Sequence, residues 1–345
     1  MSHLEQEIRE QPEAIARLLD AEIGCARELA QAIRRRNPSF VYIAARGTSD
    51  HAAAYAQYLL GAVAGLPVAL ATPSLYTMAR RPPRLNQALV VGISQSGHSP
   101  DIVAVVEEGR RQGALTLTIT NNPESPLAAA ADVTMPIHAG EERAVAATKT
   151  YTAQLAALAL LAAALNDGEG LWRELKELPG HVARALEVEP EVAGRVERYR
   201  YMDHCVLIGR GYNYPTALEI ALKLKELTYV IAESYSSADF LHGPIAIIDQ
   251  GFPAILIAAG GMVYQDVLSL ARELRTRGAE LVVFSEQQEA CDLAHTALRL
   301  PAGVPEWLSP MVAVVPGQLF AAALTRAKGY DLDAPRGLHK VTRTV

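Results

Sequence analysis

A run of small polar residues follows an apolar segment in the first third of the chain. Residues 89–93, LVVGI, are continuously apolar, which is typical of a strand buried on both faces of a parallel sheet. The next six residues are SQSGHS, and Pro100 then begins a segment with helical periodicity. Hydroxyls, free backbone N–H groups and the positive end of a helix dipole together favour an anion such as phosphate. The residues that would form this phosphate site are Ser94, Gln95, Ser96 and Ser99.

A second segment that could carry chemistry spans residues 218–249, LEIALKLKELTYVIAESYSSADFLHGPIAIID. On a helix, Glu219, Lys223 and Glu226 would share one face, and one interpretation is a solvent-exposed stripe of ion pairs. The alternative is acid–base chemistry, because His242 and other polar residues run directly into IAIID, which we expect to form an apolar strand. Proton transfer between carbon atoms needs a base, an assisting acid–base group and a cation that stabilises the charge formed. Glu226, His242 and Lys223 supply this set without a metal or cofactor.

The amino-acid composition argues against nucleic acid and anionic lipid as binding partners. The chain has 345 residues, of which half are hydrophobic and a fifth charged, and its net charge is −6. This composition is ordinary for a globular protein, and the length exceeds the roughly 250–300 residues at which one core tends to split, so we expect two domains. The sequence has no basic tract that would attract nucleic acid or anionic lipid. We therefore expect neither as a partner.

Several features predict a cytoplasmic protein. The three cysteines, at positions 25, 205 and 291, are far apart and lack the spacing of a zinc site, which favours a reducing compartment. The charged N-terminus, MSHLEQEIREQPEAIARLL, has no apolar core of a signal peptide. The longest apolar stretch, residues 153–165, is too short to cross a bilayer and predicts a core or interface helix. We therefore expect no membrane contact.

The elements that position these residues recur in a fixed order. Helical periodicity covers residues 4–36, and from Phe40 a pattern of strand, glycine turn and helix repeats, which predicts a doubly wound parallel α/β sheet. The same order returns 164 to 165 residues later, so the chain is predicted to be a tandem duplication. The predicted segments are a helical prefix (1–38), a first domain (39–165), a helical linker (166–200), a second domain (201–330) and a C-terminal tail (331–345).

The duplication allows the two copies of the polar loop to be compared. Its serines could do no more than cap a helix and form a turn, and Ser99 followed by Pro100 is a typical start of a helix. However, residues 94–96, SQS, correspond to residues 259–261, AGG, so only the first copy keeps the hydroxyls. A second polar loop is predicted at the neighbouring strand end, and its residues are Gly47, Thr48 and Ser49. These observations favour a ligand at the carboxyl ends of the strands. Walker A and GxGxxG patterns are absent, which favours a small monophosphate.

The order of motifs resembles a known family. The motifs are G-T-S, S-Q-S-G-x-S, V-A-A-T-K, L-K-L-K-E, S-S-A-x-x-x-H-G-P and a basic residue near the C-terminus. Together they resemble the tandem sugar isomerase (SIS) domains of glucosamine-6-phosphate synthase and its glutaminase-free relatives, from about residue 40 to the end. The resemblance implies two flavodoxin-like SIS domains. It also implies a homodimer in which the histidine-bearing loop reaches the neighbouring subunit's pocket.

The resemblance also implies roles for individual residues. The residues implied to surround the sugar phosphate are Thr48, Ser94, Gln95, Ser96 and Ser99, and those implied to line the sugar are Val145 and Ala147. Glu226 is implied to move a proton between C1 and C2 with support from Lys223, and His242 to assist ring opening. Lys340, in the tail, is implied to approach the C1–C2 end of the sugar.

Three departures from the synthase pattern concern the substrates. The synthase begins with a cysteine-nucleophile glutaminase domain, and we expect this chain, which has none before residue 40, not to take ammonia from glutamine unaided. His98 stands where the synthase pattern usually has Glu, and Ala147 where it usually has Ser.

The leading hypothesis is an amino-sugar-phosphate deaminase/isomerase that converts glucosamine 6-phosphate, or a close relative, to fructose 6-phosphate and ammonia. One alternative is a deglycase or ketose/aldose isomerase acting on another substituted sugar phosphate. A non-catalytic sugar-phosphate sensor is the alternative from a different class.

Overall fold

The computed structural model describes residues 1–166 and 168–340. Two helices come first, α1 (His3–Arg9) and α2 (Gln11–Arg36). The strands of the first sheet are β1 (Phe40–Ala44), β2 (Val68–Leu70), β3 (Ala88–Ser94), β4 (Leu115–Thr120) and β5 (Val133–Pro136). The helices that accompany them are α3 (Thr48–Ala64), α4 (Ser74–Thr77), α5 (Pro100–Arg111), α6 (Pro126–Ala130) and α7 (Lys149–Asn166).

The second half begins with α8 (Glu169–Ala185) and α9 (Glu189–Arg195), which 3₁₀ turns join to each other and to the second sheet. The strands of that sheet are β6 (His204–Gly209), β7 (Ile231–Ser236), β8 (Pro253–Ile257), β9 (Glu280–Ser285) and β10 (Thr296–Arg299). Its helices are α10 (Tyr214–Thr228), α11 (Ser237–Leu241), α12 (Tyr264–Thr276), α13 (Gln288–Leu293) and α14 (Ser309–Ala327).

Both sheets have the same topology. The first has the strand order β2-β1-β3-β4-β5 and the second β10-β9-β8-β6-β7, and all pairs are parallel. Counted from the first strand of each sheet, both orders are 2-1-3-4-5, the flavodoxin-like arrangement. The predicted class, two doubly wound parallel α/β domains with a helical N-terminus, is confirmed. In this topology the strand order reverses between the first and third strands, where ligands of such sheets bind.

Apolar strands and helix faces build a core in each half. In the first, Val90 packs with Ile102, Val105 and Leu127 beside the sheet, and in the second, residues such as Val206 and Leu256 form the corresponding cluster. Helix α7 contains the apolar stretch 153–165 and is buried from residue 149 to 164, as expected for a core helix. The segment Glu306–Ala327 has the length and hydropathy of a membrane span, but 94% of its apolar window is buried in the fold. The buried core helix of a protein can have the same length and hydropathy as a membrane span.

The described chain forms two compact units. The first-sheet unit consists of residues 13–142, 149–166 and 168–177 together with residues 339 and 340 of the tail. The second-sheet unit consists of residues 1–12, 143–148 and 178–338. These units cut across the predicted segments. The prefix, the linker and the tail each contribute to both units, and residues 143–148 belong with the second sheet.

Candidate active site

The two polar loops of the first-sheet unit follow neighbouring strands. Strands β1 and β3 pair directly, with Ala44 opposite Gly92, and they are the first and third strands of the sheet. The loop Gly47–Ser49 follows β1, and the loop Ser94–Ser99 begins where β3 ends. Both loops therefore lie at the carboxyl edge of the sheet, at the topological switch point. This is the position expected for a ligand site.

The loop Ser94–Ser99, which we call the phosphate loop, is fixed by its own hydrogen bonds. Ser94 Oγ accepts the N–H of Gly97 at 3.1 Å, and Ser96 Oγ accepts the N–H of His98 at 3.3 Å. Gly97 has a φ of +68°, and a Cβ there would lie 2.1 Å from Ser125 Oγ, so the position requires glycine. A hydroxyl that accepts one N–H can still donate its own proton. The loop therefore holds two serine donors in a fixed backbone.

The helix after the phosphate loop starts where the sequence predicts. Ser99 is the N-cap of α5, and Pro100 is in its first turn, but the Ser99 side chain makes no capping hydrogen bond. Arg46 Nε donates to Asp101 Oδ2 at 2.8 Å, and the Asp101 side chain is fully buried. This ion pair ties the end of β1 to the first turn of α5. It places a half-exposed guanidinium next to the Gly47–Ser49 loop.

The Gly47–Ser49 loop has two different parts. Gly47 is the N-cap of α3 with a φ of +53°, and Thr48 is the first residue of that helix. Ser49 is 7% exposed, and its hydroxyl accepts a hydrogen bond of 3.0 Å from Gln154 Nε2 of α7. The structure thus directs the Ser49 side chain into the packing of α3 on α7. Gly47 and Thr48 form the more accessible start of the helix.

The corresponding loop of the second-sheet unit is occupied by the protein's own carboxylates. Gly260 N–H donates to Glu286 Oε1 at 2.7 Å, and Met262 N–H donates to Glu306 Oε2 at 3.1 Å. These carboxylates satisfy backbone donors that would otherwise be available to an anion. The second copy therefore lacks both the hydroxyls and two N–H donors. This difference supports the interpretation of the first loop as the phosphate site.

A buried charged cluster lies on α10. Lys223 Nζ is 2.7 Å from Glu226 Oε2 and 3.3 Å from Glu219 Oε1. The side chains of Glu219 and Lys223 are 0% and 1% exposed, whereas that of Glu226 is 22% exposed. A solvent-exposed stripe of ion pairs, one of the two interpretations from the sequence, is therefore wrong. Glu226 is the member of the cluster that a substrate could reach, while Lys223 compensates its charge.

Packing explains why α10 buries these charges. The helix contacts β6, β7 and α14, and Gly317 of α14 leaves the space that Ile220 fills, since a Cβ there would lie 2.4 Å from Ile220 Cδ1. Taking isolated charges out of water costs several kcal/mol each, so the carboxylates and the ammonium need one another. Glu226 Oε2 is itself buried and makes the ion pair without a directed hydrogen bond among the described residues.

His242 is exposed in the single chain, at the C-cap of α11. Its neighbour Leu241 and the nearby Ile247 are 46% and 48% exposed. The following segment, expected to be a strand, is a 3₁₀ helix at Pro244–Ile247 instead. Gly243, with a φ of +128°, turns the chain there, and Ala246 N–H donates to its carbonyl, so the strand expectation was wrong.

Lys340 is held by a residue that the sequence analysis did not single out. Lys340 Nζ lies 2.7 Å from Glu142 Oε2, and the Glu142 side chain is 0% exposed. Glu142 also accepts hydrogen bonds from Thr150, at 3.1 Å from the backbone N–H and 2.8 Å from Oγ1. The sequence feature that could have pointed to Glu142 is its position three residues before Val145, a residue implied to line the sugar. Residues 341–345 of the predicted tail lie outside the described residues.

Val145 and Ala147 lie in the segment Arg143–Thr148, which has no regular secondary structure. Both are half-buried, and they alternate with the buried residues Ala144, Ala146 and Thr148. The alternation gives this segment a single accessible face. The two residues implied to line the sugar lie on that face, together with the exposed Arg143.

A cavity of about 980 Å³ in the first-sheet unit contains none of the predicted site residues. Its wall includes Arg17, Asn121 and His138. His138 Nε2 lies 2.6 Å from Glu22 Oε1, and Asn121 Nδ2 donates to the carbonyl of Gly140 at 2.7 Å. The polar groups named here thus bind neighbouring residues. Among residues 1–166 and 168–340, no group of three or more His, Cys, Asp or Glu side chains is arranged to hold a metal ion.

Comparisons with known proteins agree with the fold. The family model of the SIS domain matches residues 36–164 and 200–326. The chain is 38% identical over 324 residues to glutamine–fructose-6-phosphate aminotransferase (isomerizing) of Thermus thermophilus, which covers 91% of this chain and 53% of that protein. The chain thus spans about half the length of the curated relatives that it matches.

Solved structures extend this comparison over nearly the whole chain. The C-terminal domain of glucosamine-fructose-6-phosphate aminotransferase from Francisella tularensis superposes with a TM-score of 0.88 at 30% identity, covering 97% of this chain and 98% of that one. Glucosamine-6-phosphate deaminase of Thermotoga maritima, at 21% identity, shares the fold with a TM-score of 0.80 and covers 99% of this chain and 100% of that one. The chain belongs to the SIS domain family, with two copies of the domain in tandem.

Proposed function

We propose that the protein is a sugar-phosphate isomerase-type enzyme that deaminates an amino-sugar 6-phosphate. The proposed reaction converts glucosamine 6-phosphate and water to fructose 6-phosphate and ammonia. The observation that carries the proposal is the buried cluster of Glu219, Lys223 and Glu226, in which only Glu226 is partly exposed. Support comes from the 38% identity to an aminotransferase whose name includes fructose 6-phosphate and isomerisation.

The phosphate loop would bind the substrate's phosphate. Ser94, Ser96 and Ser99 offer hydroxyl donors, and the first turn of α5 offers its dipole. Arg46, whose charge is compensated by Asp101, presents a half-exposed guanidinium beside the neighbouring loop. A hydrogen bond to a charged group contributes about 1.5–3 kcal/mol, so several such donors give a large part of the binding free energy. Unphosphorylated sugars are therefore expected to bind poorly.

The proton transfer is assigned to Glu226. After His242 has assisted ring opening, the Glu226 carboxylate takes the C2 proton of the open-chain amino aldose, which leaves an enolamine. The same carboxyl returns a proton to C1 and gives a ketimine, and water then replaces the nitrogen at C2 to release ammonia. The Lys223 ammonium stabilises negative charge that develops during these steps. Lys340 is assigned to the C1–C2 end of the substrate.

A second candidate is a deglycase or ketose/aldose isomerase on another substituted sugar phosphate. It uses the same proton transfer but differs in the group at C1 or C2. Ala147 favours this candidate, because a half-exposed alanine stands where the synthase pattern has a serine hydroxyl. A sensor without catalysis is less well supported, since phosphate recognition alone has no need of a buried Lys–Glu cluster.

A substrate panel distinguishes these functions. The purified protein is incubated with amino-sugar 6-phosphates and with aldose and ketose 6-phosphates, while ammonia and ketose phosphate are followed. The proposal predicts that both products form in equal amounts from glucosamine 6-phosphate or an epimer. Ketose formation without ammonia from another substrate supports the second candidate. Binding of the sugar phosphates with no turnover of any supports the sensor and contradicts the proposal.

We also propose that the protein is a homodimer with shared active sites, in the reducing cytoplasm that its three free cysteines favour. Exposed Leu241 and Ile247 beside exposed His242 support a subunit contact at this loop. In the test, inactive His242→Ala and inactive Glu226→Gln proteins are mixed under conditions of subunit exchange. Activity returns if the sites are shared, because one site of each heterodimer then has neither substitution. A monomeric mass, or no recovery after verified exchange, contradicts the dimer with shared sites.

A further inference from the structure

A buried carboxylate of the first helix binds the segment that carries Val145 and Ala147. Glu7 of α1 is 4% exposed. Its carboxylate accepts the backbone N–H groups of Arg143 and of Ala144, the latter at 3.2 Å from Oε2. Two consecutive backbone donors thus converge on one carboxylate. This contact fixes the start of the segment Arg143–Thr148.

That segment depends on outside contacts for its shape. It has no regular secondary structure, so it lacks the repeated hydrogen bonds that hold a helix or a strand. Charge-assisted hydrogen bonds, such as those from N–H groups to a carboxylate, are roughly twice as strong as neutral ones. Glu7 therefore holds Arg143 and Ala144, and through them the adjacent Val145, in position.

Helix α1 is itself fixed within the second-sheet unit. The N–H groups of His3 and Leu4 donate to the Asp333 carboxylate at 3.0 and 3.2 Å. Just after the helix, Gln11 Nε2 donates to Gln318 Oε1 of α14 at 2.8 Å. Both ends of α1 are therefore anchored, and the Glu7 carboxylate between them has little freedom to move.

We infer that Glu7 is a positioning residue for the sugar part of the substrate. By fixing the backbone of Arg143 and Ala144, Glu7 sets where Val145 and Ala147 contact the sugar. The inference rests on the proposed function for the role of these two residues. This role gives a part in substrate recognition to α1, which lies in the segment predicted from the sequence to be a helical prefix.

Substitution by glutamine tests this role with little change of shape. Glu7 Oε1 accepts the N–H groups of both Arg143 and Ala144, the latter at 3.4 Å, and Oε2 accepts that of Ala144 at 3.2 Å. Glu7→Gln puts an NH₂ group at one of these two oxygens and removes the negative charge, so the Ala144 N–H loses one of its two acceptors and the remaining bonds lose their charge assistance. The matched control is Glu5→Gln on the same helix. Glu5 binds Ser2 and Arg326, whereas the N–H groups of Arg143 and Ala144 bind Glu7. Glu5→Gln therefore reports the effect of weakening α1 alone.

Two measurements avoid any dependence on turnover. Hydrogen exchange follows the amides of residues 143 and 144, and calorimetry compares the affinities for glucosamine 6-phosphate and for inorganic phosphate. We expect Glu7→Gln to speed exchange at these amides and to weaken sugar-phosphate binding about 10-fold, which corresponds to about 1.4 kcal/mol. Affinity for inorganic phosphate should stay unchanged, because the phosphate loop keeps all of its residues. Glu5→Gln should leave both affinities and the exchange rates unchanged.

Different outcomes separate the inference from the proposed function. Equal loss of affinity for both ligands, or an unchanged affinity despite faster exchange, overturns the positioning role. The same holds if Glu5→Gln reproduces the full effect, since destabilised α1 would then be the cause. If the wild-type protein binds sugar phosphates but turns none over, the proposed function fails while the two measurements still decide the role of Glu7.

Discussion

At the scale of single residues, burial decides what a charged side chain can do. Lys223 and Glu219 are enclosed, so Lys223 serves to compensate charge, while Glu226 keeps a partly exposed carboxyl. The spacing of these residues on a helix was readable from the sequence. The role of Glu142 was not, because its carboxylate binds Thr150 nearby and Lys340, which is 198 residues away. No local pattern reports a contact of that separation.

The hydroxyls of the phosphate loop can be tested together. Replacing Ser94 and Ser96 by Ala in one protein removes two donors to the phosphate, each contributing about 1.5–3 kcal/mol, so KM should rise at least about 10²-fold. Steady-state kinetics give the effect, and Ser269→Ala, on the surface of α12, is the control for loss of a serine. A double variant that keeps the wild-type KM would show that these serines only support the turn.

Glu142 and Lys340 should act as one unit. Since Glu142 fixes the Lys340 ammonium, Glu142→Gln should lower kcat/KM by nearly as much as Lys340→Met does. The double variant should then have a kcat/KM no lower than that of the less active single variant. A double-mutant cycle measures this coupling. Independent contributions that multiply in the double variant would contradict the coupling. Thermal unfolding of all three proteins separates this coupling from a general loss of stability.

At the scale of elements, the strand and the helix start around the phosphate loop could be predicted from the sequence. The division of the N-terminal helical segment into two helices was not predicted. The strand before the phosphate loop and the N-cap at Ser99 follow from local patterns, and both are confirmed. The helical pattern of residues 4–36 is divided into α1 and α2 because Pro12 has no N–H to continue the ladder. The Gln11 side chain instead donates to the carbonyl of Ile8 at 2.8 Å.

The variant Gly97→Ala tests whether the backbone conformation of the phosphate loop requires glycine. Gly97→Ala should destabilise the fold by about 1–3 kcal/mol, because the residue has a positive φ and its Cβ would collide with Ser125. Gly113→Ala is the matched control, since Gly113 also has a positive φ, of +81°, but no atom lies within 4 Å of the added Cβ. Urea unfolding compares the two. Equal losses in the free energy of unfolding would contradict a contribution of the Ser125 contact to the destabilisation of Gly97→Ala.

At the scale of the whole molecule, the duplication divides the chemistry between its copies. Both units keep an Arg–Asp pair at the carboxyl edge of the sheet, Arg46 with Asp101 and Arg210 with Asp266. After its third strand the first-sheet unit has a loop with serine hydroxyls, where the second-sheet unit has residues 259–261, AGG, and the Lys–Glu cluster lies on α10 of the second-sheet unit. The sequence predicts this division because each feature is local. It does not predict that residues 143–148 belong with the second sheet, since that depends on contacts with α1.

The central claim is that Glu226 moves a proton between adjacent carbons of a sugar phosphate. Reaction of glucosamine 6-phosphate in D₂O, followed by NMR, shows this transfer as deuterium at C1 of the fructose 6-phosphate formed. We expect deuterium incorporation by the wild-type protein, and a rate lower by at least about 10²-fold in Glu226→Gln with unchanged sugar-phosphate affinity. Incorporation by Glu226→Gln at the wild-type rate, or no exchange of carbon-bound protons in a wild-type protein that binds the sugar phosphate, would contradict the claim.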